Sequence, residues 1–377
     1  MKEAGFERRF RFWSVLTVIS IYLLILVGGI VRATGSGMGC PDWPKCFGQW
    51  VPPTEASQLP ANYKQLYTAQ RVAKNQKLAR TLASLGFRQV AGDIFAHPTQ
   101  YIETDFNPTK TWIEYINRLL GALIGIFVFV TAVVAIPYFK RDQPIFWLAV
   151  ASWLLTGFQG WLGSLVVSTN LLPVMVTIHM GLALLIVALL LYAAHRARWQ
   201  KKELLWQQQV ELETLGGEAD EELAVVAGLQ WLLWLVIGLT FVQIILGTQV
   251  REQIDQIASA AGYTQRATWV DKLGGVFEAH RTLSAIVVLA NAYVGYQVWQ
   301  LEAPALRRLV VGTWGLIGAE LVAGLTLAAW ALPAFVQPIH LTLATLLFGV
   351  QFLTLLALRR LNRVGGEVGA ASLQAMQ

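Results

Sequence analysis

Phe277-Glu278-Ala279-His280-Arg281-Thr282-Leu283-Ser284 opens a long apolar run and carries one of only 5 histidines in the 377-residue chain. An earlier run opens on Glu114-Tyr115-Ile116-Asn117-Arg118-Leu119-Leu120-Gly121. Laid over one another, the two place Asn117-Arg118 on His280-Arg281, so the later stretch reads as half of a repeat in which one ligand-type residue differs. The rest of the chain aligns outward from this pair. Gly28-Gly29-Ile30-Val31-Arg32 and Gly247-Thr248-Gln249-Val250-Arg251 take the same step from glycine to arginine. Gln159 precedes Gly163 by four and Gly163 precedes His179 by sixteen, as Glu320 precedes Gly324 and Gly324 precedes His340. Ile178-His179-Met180 therefore matches Ile339-His340-Leu341.

With 55% hydrophobic residues, 14% charged residues and 15 tryptophans, the composition excludes an ordinary soluble domain. Runs of about 20 apolar residues are long enough to cross a hydrocarbon core. They occur near 11–31, 115–137, 144–167, 174–195, 224–249, 276–299, 309–331 and 336–358. The expected fold is an all-α integral membrane protein with eight transmembrane helices in two pseudosymmetric four-helix bundles. The halves are residues 1–200, with a long outer loop, and 224–377; residues 201–223 form a charged cytoplasmic linker. The first run follows Arg8, Arg9 and Arg11 but has too long an apolar core and no clean cleavage site, so it reads as a retained anchor. Lys2 to Arg11, Lys140-Arg141, Arg196 to Lys202, Arg307-Arg308 and Arg359 to Arg363 collect on one side, which places both termini in the cytoplasm. This bias explains the net charge of +6, so the basic balance is no sign of a nucleic-acid partner.

The outer loop of the first half is far longer than a simple connection. Lys64, Arg71, Lys74, Lys77, Arg80 and Arg88 interleave with Leu66, Val72, Leu78, Leu82 and Leu85 at roughly helical spacing. That pattern predicts an amphipathic helix on the outer membrane surface.

His179, His280 and His340 each fall in the first turns of a span that begins outside. Coordinating side chains within a bilayer are costly and normally face a bundle interior. Histidines from different helices of one bundle, with no cysteine or carboxylate at metal spacing, suit axial coordination of haem iron better than zinc. Hydrogen bonding between helices is the plainer alternative. His195 and His97 read as surface residues. Arg32, Arg118, Arg251 and Arg281 lie near the same boundary and are candidates to neutralise haem propionates, or simply to snorkel to the interface. Glu114 has two readings: with Thr111 it has the spacing of a capping box, or it handles a proton at a buried site. Cys40 and Cys46, the only 2 cysteines, lie outside, where disulfides persist. Closing so short a loop stabilises by only about 2 kcal/mol, so a redox or shape role competes with that of a staple.

Gly28 to Gly37, Cys40-Pro41-Asp42-Trp43-Pro44-Lys45-Cys46, the Glu114 to Arg118 helix head, Ile178-His179, His280-Arg281 and Ile339-His340 together resemble the heme A synthase family over nearly the whole chain. The resemblance implies oxidation of the C8 methyl group of haem O to a formyl group, giving haem A for haem-copper oxidases. It implies a cofactor haem b between His280 and His340, the substrate haem O in the first half at His179, and the family glutamate at Glu114. It also implies a disulfide between Cys40 and Cys46, a place in the cytoplasmic membrane, and heme O synthase and oxidase-assembly proteins as partners. The family places histidine three residues after that glutamate, where this chain has Asn117. From another class, a non-catalytic membrane cytochrome b is the competing expectation.

Overall fold

The computed structural model describes residues 5–94, 102–103, 105–210, 219–301 and 303–375, the side chains of 199–210, 219–224 and 362–375 excepted. Among these residues ten α-helices follow in order: α1 (Gly5–Ala33), α2 (Tyr63–Ser84), α3 (Arg88–Asp93), α4 (Pro108–Val134), α5 (Gln143–Ser168), α6 (Pro173–Val210), α7 (Ala219–Ala260), α8 (Gly275–Trp299), α9 (Pro304–Ala329) and α10 (Val336–Ala375). Among the described residues there is no β-strand beyond one bridge between Cys46 and Gln49. All the helices except α2 and α3 are long and apolar enough to cross a membrane, which gives the 8 spans the apolar runs predict. Residues 211–218 of the expected linker lie outside the described residues, and α6 and α7 extend into its two ends.

Proline marks several of the helix starts: Pro108, Pro173 and Pro304 open α4, α6 and α9. Its fixed φ suits the first turn, and its missing N–H would have no partner there. The spans are apolar on their outward faces as well, with Phe12, Ile19, Leu154, Trp231, Leu289 and Leu325 exposed. Such an all-round apolar helix is stable where lipid replaces water.

α1 packs on α4, α4 on α5, α5 on α6 and α6 on α1, closing one four-helix ring; α7, α8, α9 and α10 close a second in the same way. The rings meet where α1 packs on α10 and α6 packs on α7 and α10. Gly29 of α1 is the close point of this seam, because a Cβ there would stand 2.9 Å from Cβ of Pro338 on α10. At the register-matched positions Thr248 of α7 meets Thr177 of α6, their hydroxyls 3.1 Å apart. Deeper in the bundle the halves differ. Gln351 of α10 donates to Thr240 of α7 (3.0 Å) and Asn291 of α8 (2.8 Å), a buried polar group. The matching residues of the first half, Leu190, Ile21 and Val128, form apolar core.

At the loop end of the first bundle α2 lies as an added layer. Its buried stripe is Tyr67, Arg71, Asn75 and Ala79, one residue per turn. Asn75 donates to the Ser168 carbonyl at the end of α5 (2.9 Å), and Arg71 pairs with Glu103 at 2.7 Å. Burial pushes the Glu103 carboxyl up from its ordinary value, and Arg71 beside it pulls the other way. The helix is therefore present as its periodicity predicts, but it seats polar side chains on the protein itself, while Leu66 and Leu85 are exposed.

Candidate functional site

The three histidines near the loop ends of the spans share one local construction. His179 of α6 stands over Gly163 of α5, His280 of α8 over Gly247 of α7, and His340 of α10 over Gly324 of α9. A Cβ on those glycines would come within 3.5, 3.4 and 3.4 Å of the respective Cε1 atoms. Each glycine thus leaves room for an imidazole edge against the neighbouring helix. One turn before each glycine a polar side chain holds the histidine's helix. Gln159 donates to the His179 carbonyl (2.7 Å) and Gln243 to the His280 carbonyl (3.0 Å), with Gln243 Nε2 also 3.4 Å from His280 Nε2. Glu320 Oε2 lies 2.5 Å from His340 Nδ1, close but without hydrogen-bond alignment. His179 and His280 keep a buried Nδ1 with no hydrogen-bond partner, whereas that of His340 has the Glu320 carboxylate beside it. Orphaned polar atoms in a well-packed bundle call for an occupant, and paired histidines with an unspent nitrogen are what axial coordination of haem uses. Among the described residues no group of three or more His, Cys, Asp or Glu side chains gathers as a metal site.

The fourth place in this scheme is built differently. Leu24 stands where Gln243 stands, Gly28 where Gly247 stands, and Asn117 where His280 stands. Leu24 packs into the apolar core, a Cβ on Gly28 would meet nothing within 4 Å, and the Asn117 Oδ1 is buried with no partner.

Glu114 does not cap its helix. Asn107 is the N-cap of α4, its side chain accepting from the Lys110 amide, and Pro108 begins the helix a turn earlier than a Thr111 start would require. Glu114 is instead buried, at 3% exposure, and accepts from the Cys40 amide at 2.8 Å and from Arg118. Arg118 in turn donates to the carbonyls of Asp42 (2.6 Å), Lys45 (3.1 Å) and Cys40 (3.1 Å). Cys40 and Cys46 form a disulfide, with Cα atoms 4.9 Å apart, and both are fully buried. Asp42 closes the same loop by accepting from the amides of Phe47 (2.6 Å) and Gly48 (2.8 Å). Thr111 and Tyr115 fasten it further through the Gly39 and Trp50 carbonyls. The first turns of α4 are therefore a platform that holds the disulfide loop by its backbone.

The remaining candidates separate. Arg281, beside His280, is exposed. Arg32 and Arg251 come together at the seam, both against Asp255 (3.4 and 2.7 Å), with Arg251 also donating to the Arg32 carbonyl. His195 is half-buried near the far end of the span within α6 rather than on the surface, and His97 lies outside the described residues. Sequence reasoning missed Gln243 and Asp255. Gln243 had a signal, since it precedes Gly247 by the same four residues that separate Gln159 from Gly163. Asp255 had a partial signal, since it follows Arg251 by four on one helix, but its second partner Arg32 comes from the other half.

Curated relatives are similar over most of this arrangement. A heme A synthase of Hyphomonas neptunium is 26% identical over 340 residues, 87% of this chain and 77% of the relative. One of Bradyrhizobium sp. (strain BTAi1) is 27% identical over 361 residues, 88% of this chain and 85% of the relative. For a heme A synthase of Shewanella oneidensis the match is shorter, 27% over 187 residues, and covers 44% of that protein. The family model described as COX15-CtaA, cytochrome oxidase assembly protein, matches residues 11–84 and 89–352, which covers six spans whole, most of the first and last, and the three histidines, and the chain belongs to that family.

Proposed function

We propose that this membrane protein is a heme A synthase, an oxidoreductase that converts haem O to haem A. The observation that carries the reading is the pair His280 and His340, set on facing helices of the second ring and each standing over a glycine of the neighbouring helix. These residues fit a cofactor haem b, which when bound supplies one-electron exchange. Arg281, exposed next to His280, is placed to take up a propionate. In the first ring His179, over Gly163, holds the substrate haem whose C8 methyl becomes the formyl group.

Glu114 enters as a positioning residue. Through the Cys40 amide and Arg118 it fixes the disulfide loop above the end of the first ring, and that loop closes the site from its outer side. Arg118 is spent on three loop carbonyls, which leaves Arg32 and Arg251 at the seam, sharing Asp255 between them, as the remaining arginines for a propionate there. The clustering of lysine and arginine at alternate ends of the spans supports a place in the cytoplasmic membrane with both termini inside. The partners that fit this activity are a heme O synthase that supplies the substrate and the assembly machinery of a haem-copper oxidase that takes the product. Lipid surrounds the spans.

Expressing the chain beside a heme O synthase, then extracting the haems for mass spectrometry, tests the reading. Haem O and haem A beside haem b are expected. Haem b alone, with no conversion in cells that make haem O, would establish a non-catalytic cytochrome b.

A further inference from the structure

We infer that Glu320 of α9 is a positioning residue for the second-ring haem: its carboxylate accepts the Nδ1 hydrogen of His340, fixes the tautomer that leaves Nε2 for iron, and draws the midpoint potential of that haem down. The inference rests on the proposal that His280 and His340 hold haem b in the second ring. The three glycine and histidine pairs supply an internal comparison. One turn before the glycine stand Gln159, Gln243 and Glu320, so the same place is an amide twice and an acid once. The two glutamines spend their amide hydrogens on the histidine's main chain, at 2.7 Å to the His179 carbonyl and 3.0 Å to the His280 carbonyl. A carboxylate has no hydrogen to give, so Glu320 cannot hold α10 by the His340 carbonyl. What it reaches instead is the ring, with Oε2 2.5 Å from Nδ1.

An ionisable side chain within a span is expensive and marks a functional pairing. Glu320 lies inside the α9 span with its side chain 14% exposed, and His340 is the basic group in contact with it. A neutral imidazole carries one hydrogen, and a metal on Nε2 leaves that hydrogen on Nδ1. It then needs an acceptor, and Glu320 Oε2 is the oxygen beside it. The last torsion of a glutamate is broad, so alignment takes a rotation and no backbone movement. Carboxylate partners of this kind orient a ligating histidine and raise its basicity. A more basic ligand and a nearby negative charge both favour ferric over ferrous iron, and the low dielectric inside a span strengthens the effect of the charge. The second-ring haem is thereby a readier electron donor than a glutamine at this place would make it.

Redox titration of the purified full-length protein in detergent, followed at the haem b absorption, is the direct test. Glu320→Gln installs the residue of the other two places. It should retain haem b and raise its midpoint, the ferrous-to-ferric ratio at a fixed potential rising about tenfold, which is about 59 mV for a one-electron couple. In electron paramagnetic resonance the g-value spread of the oxidised low-spin haem, which narrows as a ligand gains imidazolate character, should widen in the same variant. If Glu320→Gln does not retain haem, Gln243→Glu on the native background serves instead: a carboxylate beside His280 should lower the midpoint. A midpoint that Glu320→Gln leaves in place, or that Gln243→Glu does not lower, would overturn the inference; a merely structural Glu320 would change the melting temperature and not the potential. A midpoint that moves with an unchanged g-value spread would mean that the charge acts through space rather than through the ring, and overturns it too. Wild-type protein that takes up no haem b would remove the proposed function along with the inference, whereas haem b present with an unmoved midpoint removes the inference alone.

Discussion

Arg118 shows how much of a site's chemistry depends on a neighbour fifty or more residues away. Next to a ligand position in the sequence it looks like a propionate partner, and its repeat mate Arg281 is exposed enough to be one. In the fold it is 13% exposed and grips three carbonyls of the disulfide loop together with Glu114. Removing one member of a buried ion pair strands the other, at a cost of about 3–5 kcal/mol. The cystine closes a short loop worth only about 2 kcal/mol, and that loop is already tied down by Asp42, Thr111 and Tyr115. Arg118→Ala should therefore lower the melting temperature and open the loop to protease, whereas replacing Cys40 and Cys46 together by alanine should leave yield nearly intact and reduce haem A output. The opposite ranking, with the cysteine variant failing to accumulate and Arg118→Ala behaving as wild type, would show that the disulfide and not the arginine holds the loop.

At the level of helices, what was legible in the sequence was whatever repeats. Eight apolar runs, two glycine and histidine spacings and the basic helix α2 all announce themselves through periodicity, and the structure places them accordingly. Contacts between elements carry no such period. The capping reading of Glu114 failed because Asn107 and Pro108 start α4 a turn early, and the face of α2 that is buried was hidden because it seats Arg71 and Asn75 rather than leucines. The polar group Thr240, Asn291 and Gln351 makes the same point energetically. An interhelical hydrogen bond in a bilayer contributes about 0.6 kcal/mol on average, but a buried polar atom left without its partner costs about 1–3 kcal/mol. The first half of the chain solves the same position with Ile21, Val128 and Leu190. Asn291→Val alone should thus destabilise more than the triple change Thr240→Ile, Asn291→Val and Gln351→Leu, measured as melting temperature in one detergent. A triple variant markedly less stable than the single one would mean that the polar group is worth more than its unpaired remnants.

Across the whole molecule the seam between the rings depends on adjacent glycines with different duties. Gly29 lets α1 approach Pro338 of α10, while Gly28 looks into open space. Overpacking a close contact costs about 1–3 kcal/mol, so Gly29→Ala should lower the melting temperature by several degrees and Gly28→Ala should change it little; equal effects from the two would remove the seam from Gly29. The same contact also sets an order of events during synthesis. α1 is the first of the 8 spans to leave the ribosome and α10 the last. The first ring can close once α6 is inserted, but the notch at Gly29 lacks its partner until α10 follows α7, α8 and α9. The α1 side of the seam is thereby completed only at the end of translation, after α6 has already met α7, and a nascent chain stalled short of Pro338 leaves the Gly29 notch without its partner.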